Sequence, residues 1–343
     1  MRFVKPLLLV AGAIVLAVLV HRIGAEPILN TLRALTWWQF VLICLPYGVI
    51  VAVDTLGWRF AFARDRAPFW RLYGARLAGE ALNVVTAVGS VGGEAVKAWL
   101  VRRDVSYAES VPSIVIAKTT IVIAQAIFLL VGIGLAWTAL DVSGLVLRAM
   151  LWLLVVEVLA VGGFFGAQIA GLVGRGGRVL VWAGVTAGAD AAEGLDRALR
   201  HYYRHEWRRF ALSTAFHVVG WLMGALEAAL ILWLLGVTSS VVTATVIEAL
   251  GSGVRFASFM VPASLGAFEG ANAAAFGALG FGAGAGLAFS FVRRARQTVW
   301  IVVGLLVLAA MRWREARDPR PSAPSEPRSR PAGRAAAAPD DVP

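Results

Sequence analysis

The chain has 343 residues, of which 59% are hydrophobic and 15% are charged, and its formal net charge is +11. Soluble globular domains are about 45–50% apolar and about 25% charged, so this composition excludes an ordinary soluble protein and indicates a polytopic membrane protein. The basic residues cluster at the ends of apolar segments, where they act as topology signals. We therefore expect no nucleic-acid binding.

The predicted elements begin with an uncleaved membrane helix. Arg2 and Lys5 precede the apolar run PLLLVAGAIVLAVLV, a pattern also typical of signal peptides, but HRIGAEP follows without a small-x-small cleavage site. Later stretches also reach the roughly 20 helical residues that a bilayer core requires. The further predicted spans are 37–60, 110–137, 149–171, 210–236 and 285–312.

Two other segments, 76–100 and 243–280, are hydrophobic but interrupted by Gly, Asn and charged residues, with Pro also in the second. Arginines flank 76–100 on both sides, and loops rich in Lys and Arg stay in the cytoplasm. This pattern predicts a re-entrant hairpin that enters and leaves by one face, and 243–280 enters from the opposite face. The fold class is then all-α, a membrane helical bundle with about six full spans, two broken re-entrant hairpins and both termini cytoplasmic. If each broken segment crosses fully, the bundle has eight spans.

The two halves of the chain repeat the same order of segments. A shift of 175 residues superimposes 37–60 on 212–235 and the first broken segment on the second, and it aligns Glu94 with Glu269 and Lys118 with Arg293. Residue identity is otherwise close to background, so the repeat depends on segment lengths and two charged pairs. An inverted repeat with broken helices at its interface is typical of transporters.

The sequence predicts one transmembrane domain, 1–313, followed by a disordered cytoplasmic tail, 314–343, that is rich in Pro, Ala and Ser. Within the domain, 172–209 is predicted to be a cytoplasmic basic linker whose later part, 186–209, is an amphipathic helix on the membrane surface.

Ionisable residues inside apolar segments are the candidate site, since each costs about 2.5–3.5 kcal/mol at mid-span unless it faces a polar cavity or a partner. Arg293 and Arg294 lie in a segment whose second part, 297–311, is too short for a separate span. This favours one continuous helix with arginines inside the membrane, suited to a phosphate or carboxylate; the alternative divides the segment in two. The predicted substrate-binding residues are Glu80, Asn83, Gly92, Gly93, Glu94, Lys97, Lys118, Arg255, Pro262, Gly266, Glu269, Arg293 and Arg294.

Glycines give both broken segments their character. Gly92 and Gly93 in the first, and Gly266 with Pro262 in the second, allow sharp turns and close approach to a ligand. A glycine-rich packing interface between membrane helices is the alternative explanation. No P-loop, catalytic triad, zinc signature or cofactor motif is present, so we expect no enzyme activity, no metal and no cofactor.

The stretches LAGEALNVVTAVGSVGGEAVKAWLVRR, FMVPASLGAFEGANAAAFGALG and AFSFVRRARQTVWIVVGLL resemble the flippase-like family, the membrane region of lysylphosphatidylglycerol synthases. Within it, the chain is most similar to the branch described as hopanoid-biosynthesis-associated membrane proteins. The resemblance extends over residues 5 to 313. It implies that the family's motif residues are Gly79, Glu80, Asn83, Gly92, Gly93, Glu94, Pro262, Gly266, Glu269, Arg293 and Arg294.

Two departures from the family pattern bear on function. Thr86 stands where the family often has proline, and no soluble aminoacyl-transfer domain follows the membrane part, so lipid aminoacylation is not expected. The resemblance and the buried charges together predict a lipid flippase of the bacterial cytoplasmic membrane that binds a lipid with an anionic or otherwise polar headgroup. The alternative is a non-transporting scaffold that recruits lipid-biosynthesis enzymes. Such enzymes, or a second copy of the chain, are the expected protein partners.

Overall fold

The computed structural model describes residues 4–33, 35–64, 67–85, 91–140, 144–170 and 189–317, and every regular element in these ranges is helical. The described residues exclude 171–188, which contains the first part of the predicted linker. They also exclude Thr86 and most of the predicted tail. The helices are α1 (Val4–Ile23), α2 (Ala25–Arg33), α3 (Trp37–Phe60), α4 (Phe69–Val85), α5 (Val91–Val101), α6 (Tyr107–Ala139), α7 (Gly144–Ile169), α8 (Ala189–His205), α9 (Trp207–Leu234), α10 (Val241–Ala257), a short 3-10 helix (Pro262–Ser264), α11 (Ala267–Ala278) and α12 (Ala283–Arg317).

Five of the described helices, α3, α6, α7, α9 and α12, are long and apolar enough to cross a membrane, which confirms five of the predicted spans. α12 runs for 35 residues without a break, so the arginines near its first third lie within one continuous helix, as predicted. α1 is a helix of 20 residues, and its role as a sixth span stays a prediction.

Each predicted broken segment is a pair of shorter helices. α4 and α5 form the first pair, and α10 and α11 form the second, with the 3-10 helix between them. The ends of these helices follow local sequence rules: Gly236 takes a left-handed φ of 73° just after α9, and the Ser240 hydroxyl accepts the amide of Thr243 at the start of α10, 3.1 Å away.

The helix order long, short, short, long occurs twice, as α3–α6 and as α9–α12. The contacts between the two sets are also matched. α4 packs against α12 while α10 packs against α6, and the two leading helices, α3 and α9, pack against each other. Each short pair is therefore held against the last helix of the other set, so that charged residues from both sets face a common interior.

Candidate functional site

A cavity of about 530 Å³ lies in this interior, with walls from α3, α4, α6, α9, α10, α11, α12 and the 3-10 helix. Six cationic and four acidic side chains line it, together with aromatic and small residues. The charged lining residues are Asp54, Arg76, Glu80, Lys118, Glu227, Glu248, Arg255, Arg293, Arg294 and Arg296. Lys118 and Arg294 pair with two further carboxylates, Glu94 and Glu269, so the six cations are matched by six carboxylates.

The first wall is a network around Asp54 on α3. Its carboxylate binds Arg76 Nη2 at 3.1 Å and His217 Nδ1 at 2.9 Å. Arg76 also pairs with Glu80 at 2.8 Å, and Glu80 accepts the Tyr47 hydroxyl at 3.3 Å. Arg76 is thus shared between two carboxylates and largely buried, so its role is to join α4 to α3.

The opposite wall is a second network in which α12 meets α9 and α10. Arg296 binds both carboxylate oxygens of Glu227, and Arg293 binds Glu248 and lies 3.6 Å from Glu227. All four side chains are buried. A buried ion pair of this kind is costly to break, because the remaining partner becomes an unpaired charge. Arg293 and Arg296 therefore belong to the wall.

Glu94, in the first turn of α5, joins α5 to α4 and α6. Its carboxylate pairs with Lys97 at 3.2 Å and with Lys118 of α6 at 2.9 Å, and it accepts the Asn83 side-chain amide at 3.1 Å. The side-chain oxygen Oδ1 of Asn83 accepts the backbone amide of Gly93 at 2.9 Å. A carboxylate in the first turn of a helix is also favoured by the helix dipole.

Glu269 likewise lies in the first turn of its helix, α11. One oxygen accepts the amide of Gly266 at 2.7 Å, and the other binds Arg294 of α12. Each second short helix therefore begins with a glutamate that binds a cation on the following long helix. In these contacts the counterpart of Lys118 is Arg294, one residue beyond the Arg293 that the sequence shift indicates.

Three cations remain partly accessible within the cavity. The exposed fractions of the Lys118, Arg255 and Arg294 side chains are 46%, 32% and 22%. Each has one carboxylate partner: Glu94 for Lys118, Glu248 for Arg255 and Glu269 for Arg294. The other three cations that line the cavity are at most 9% exposed. These three are therefore the groups that can reach a ligand.

Glycine allows the close crossing of α4 and α5. A Cβ on Gly79 would lie 2.5 Å from the Lys97 side chain and 2.8 Å from the Gly93 carbonyl, so the two backbones touch only because both residues lack a side chain. In the second pair, Gly266 has a φ of 80° immediately before α11. Ala263, just after Pro262, has a φ of 53°.

The predicted site residues are all near this interior, but they divide by position. Glu94 and Lys97 line a smaller void of about 20 Å³ that shares Arg76 and Lys118 with the larger cavity. The predicted residues that line the larger cavity are Glu80, Asn83, Lys118, Arg255, Arg293 and Arg294. The other predicted residues lie at the start of α5, in the 3-10 helix or at the start of α11. They are Gly92, Gly93, Pro262, Gly266 and Glu269.

Sequence reasoning missed several members of the two walls. Asp54, Glu227, Glu248 and Arg296 are visible as ionisable residues within apolar segments, but their partners are far apart in sequence. Arg76 looks like a topology signal until its spacing of four residues from Glu80 is considered. The remaining sequence signal of a polar wall was His217, a histidine within a predicted span. Its side chain is fully buried in the structure.

Comparison with known proteins gives a family but no nearer relative. The model of the lysylphosphatidylglycerol synthase TM region matches residues 4–314, which include every helix that lines the cavity. No curated protein and no solved structure matches the chain. The chain thus belongs to the lysylphosphatidylglycerol synthase TM-region family.

Proposed function

We propose that the protein binds the polar headgroup of an anionic lipid in the cavity and moves the lipid across a bacterial cytoplasmic membrane. The observation that carries this proposal is a charged cavity in which three cations are partly accessible, enclosed by helices that are apolar enough to cross a membrane. Its volume, about 530 Å³, falls within the range of roughly 300–1,000 Å³ that small-molecule sites occupy.

The headgroup ligands are Lys118, Arg255 and Arg294. Arginine binds phosphate or carboxylate oxygens through two parallel hydrogen bonds, and lysine provides a more flexible point charge. Lys118 comes from the first set of helices and Arg255 and Arg294 come from the second, so a bound anion would contact both sets. Relative movement of the sets, by the rocking common to repeat transporters, would then change the side on which the anion is exposed.

The lipid tail has an apolar surface at the tips of the short helix pairs. Val84 and Val85 end α4, Phe259 and Met260 follow α10, and all four side chains are exposed. α5 has 11 residues and α11 has 12, or about 17 Å each, much less than the roughly 30 Å of the hydrocarbon core. These lengths support re-entrant hairpins whose apolar tips lie in lipid.

The remaining features of the proposal follow from sequence. The arginine-rich loops favour cytoplasmic termini, and the chain's motifs favour the hopanoid-associated branch of the family. We propose that the protein is not itself an enzyme and that its protein partners are lipid-biosynthesis enzymes or a second copy of the chain.

The test is lipid translocation in reconstituted vesicles that contain a fluorescent anionic phospholipid. Arg294→Gln and Lys118→Gln should each lower the translocation rate at least about tenfold, as expected when one charge-assisted contact of about 1.5–3 kcal/mol is lost. The matched control is Arg314→Gln, which removes an exposed arginine at the far end of the same helix. If both cavity variants translocate as fast as the control, the headgroup site is wrong and the scaffold function becomes the better explanation.

A further inference from the structure

One of the buried carboxylates, Glu157, has no ion pair among the described residues. Glu157, at the middle of α7, is fully buried, and neither of its oxygens has a hydrogen-bond partner among the described residues. By contrast, the equally buried Glu227, Glu248 and Glu269 each bind an arginine. An isolated ionised carboxylate in an apolar environment is so unfavourable that the group takes up a proton instead. Glu157 is therefore held as a neutral acid in this packing.

The position of Glu157 places it between the two sets of helices. The buried residues of α7 are Met150, Glu157 and Gln168, and their spacings of seven and eleven residues put them on one helix face. That face packs against α6 of the first set and α10 of the second. One turn before Glu157, Leu153 lies against Gly253 of α10, where an added Cβ would be 3.2 Å away.

Several polar groups on the surrounding helices bind partners other than Glu157. On α6, Lys118 pairs with Glu94, and the Gln125 amide donates to the Ser252 carbonyl of α10 at 3.0 Å. On α10, Glu248 and Arg255 pair with each other at the cavity. On α8, the Tyr203 hydroxyl donates to Gln168 at 2.6 Å, three turns beyond Glu157. None of these groups forms a hydrogen bond with the Glu157 carboxyl.

We infer that Glu157 is a proton-binding site that controls the rocking of α10 against α6. When these helices separate, water reaches the carboxyl and its proton can leave to that water. Before they close again the carboxylate takes a proton back, because this packing admits only the neutral group, so the cycle carries no net proton across the membrane. The control of rocking rests on the proposed lipid transport, whereas the bound proton follows from packing alone.

The bound proton is tested by infrared spectroscopy of the full-length protein in lipid vesicles at neutral pH. The wild type should show a carbonyl stretch from a protonated carboxyl group in an apolar environment, and Glu157→Gln should lose it. The matched control is Glu193→Gln, which removes an exposed carboxylate on α8 and should leave the band unchanged. A band that persists in Glu157→Gln, or that is absent from the wild type, would overturn the proton site.

The control of rocking is tested by the rate of lipid translocation at equal pH on both sides of the membrane, from neutral to alkaline pH. The rate in wild-type and Glu193→Gln vesicles should fall as the pH rises, towards about tenfold per pH unit, because the ionised carboxylate prevents closure. Glu157→Gln, whose side chain is neutral at every pH, should not show this fall. Equal pH profiles in all three proteins would refute the control of rocking. A wild-type protein that moves no lipid at all would instead refute the proposed function, and the infrared band would still decide the proton site.

Discussion

The division of the cavity arginines into buried wall residues and partly exposed ligands predicts that the two groups have different effects when they are changed. Arg296 is 7% exposed and binds both oxygens of Glu227, which is itself 1% exposed, and its guanidinium lies 4.5 Å from the Tyr47 ring. Replacing Arg296 by Met keeps the length of the side chain but removes the charge. Glu227 would then keep only Arg293, at 3.6 Å.

The expected loss of stability is about 3–5 kcal/mol, the usual consequence of leaving one partner of a buried ion pair behind. Arg255→Met should lose much less, because its partner Glu248 keeps Arg293 and Arg255 is partly exposed. Adding Glu227→Gln to Arg296→Met should recover most of the loss, since the unpaired charge is then gone.

The assay is a double-mutant cycle on the reversible unfolding of the protein in detergent micelles, with lipid translocation measured in parallel. Arg296→Met should be unstable, whereas Arg255→Met should be stable and inactive. If Arg296→Met loses less than about 1 kcal/mol, or if Arg255→Met loses as much as Arg296→Met does, the separation into wall and ligand arginines is wrong.

Three further predictions concern the crossing of α4 and α5, the end of the bundle near Glu315 and the tip of the second short pair. Gly93→Ala should prevent folding, because its Cβ would collide with the Gly79 carbonyl. The control is Gly134→Ala, whose Cβ meets open space. This control variant should melt at the wild-type temperature or slightly above. Glu315→Gln should lower stability by about 1–2 kcal/mol at low salt and less at high salt, as seen in unfolding curves, because Glu315 pairs with three arginines at 3.0 to 3.8 Å. Cys44 is the sole cysteine, so Cys44→Ser gives a background without thiols. In this background Phe259→Cys should resist labelling by a membrane-impermeant maleimide from either side of the membrane. Rapid labelling would contradict a hairpin tip in lipid.

The long helices could be predicted from sequence because one local property determines them. A run of apolar residues long enough for the bilayer is visible without any tertiary information, and five spans and the unbroken α12 were found in this way. The two short pairs were found for the opposite reason, since Gly266, Asn83 and their neighbours interrupt otherwise apolar segments. The distance between these interruptions also revealed the repeat.

The partners within the site could not be predicted in the same way. The residues that form the walls come from helices separated by tens to hundreds of positions, as in the pairs of Asp54 with His217 and of Glu227 with Arg296. Segment lengths align the two sets only to within a residue or so, which is enough to exchange Arg293 for Arg294. On a helix one residue is a rotation of about 100°, and that rotation separates a buried wall arginine from an accessible one.

The charges in the cavity also limit how tightly the proposed lipid would bind. Each accessible cation already has a carboxylate partner: Glu94, Glu248 or Glu269. An incoming phosphate would therefore replace one anion by another instead of neutralising a bare charge, so much of the Coulomb energy would cancel. The net affinity would then be set mainly by the fit of the headgroup. Modest affinity is what a transporter needs, because a headgroup that is held too strongly on one side of the membrane is not released on the other.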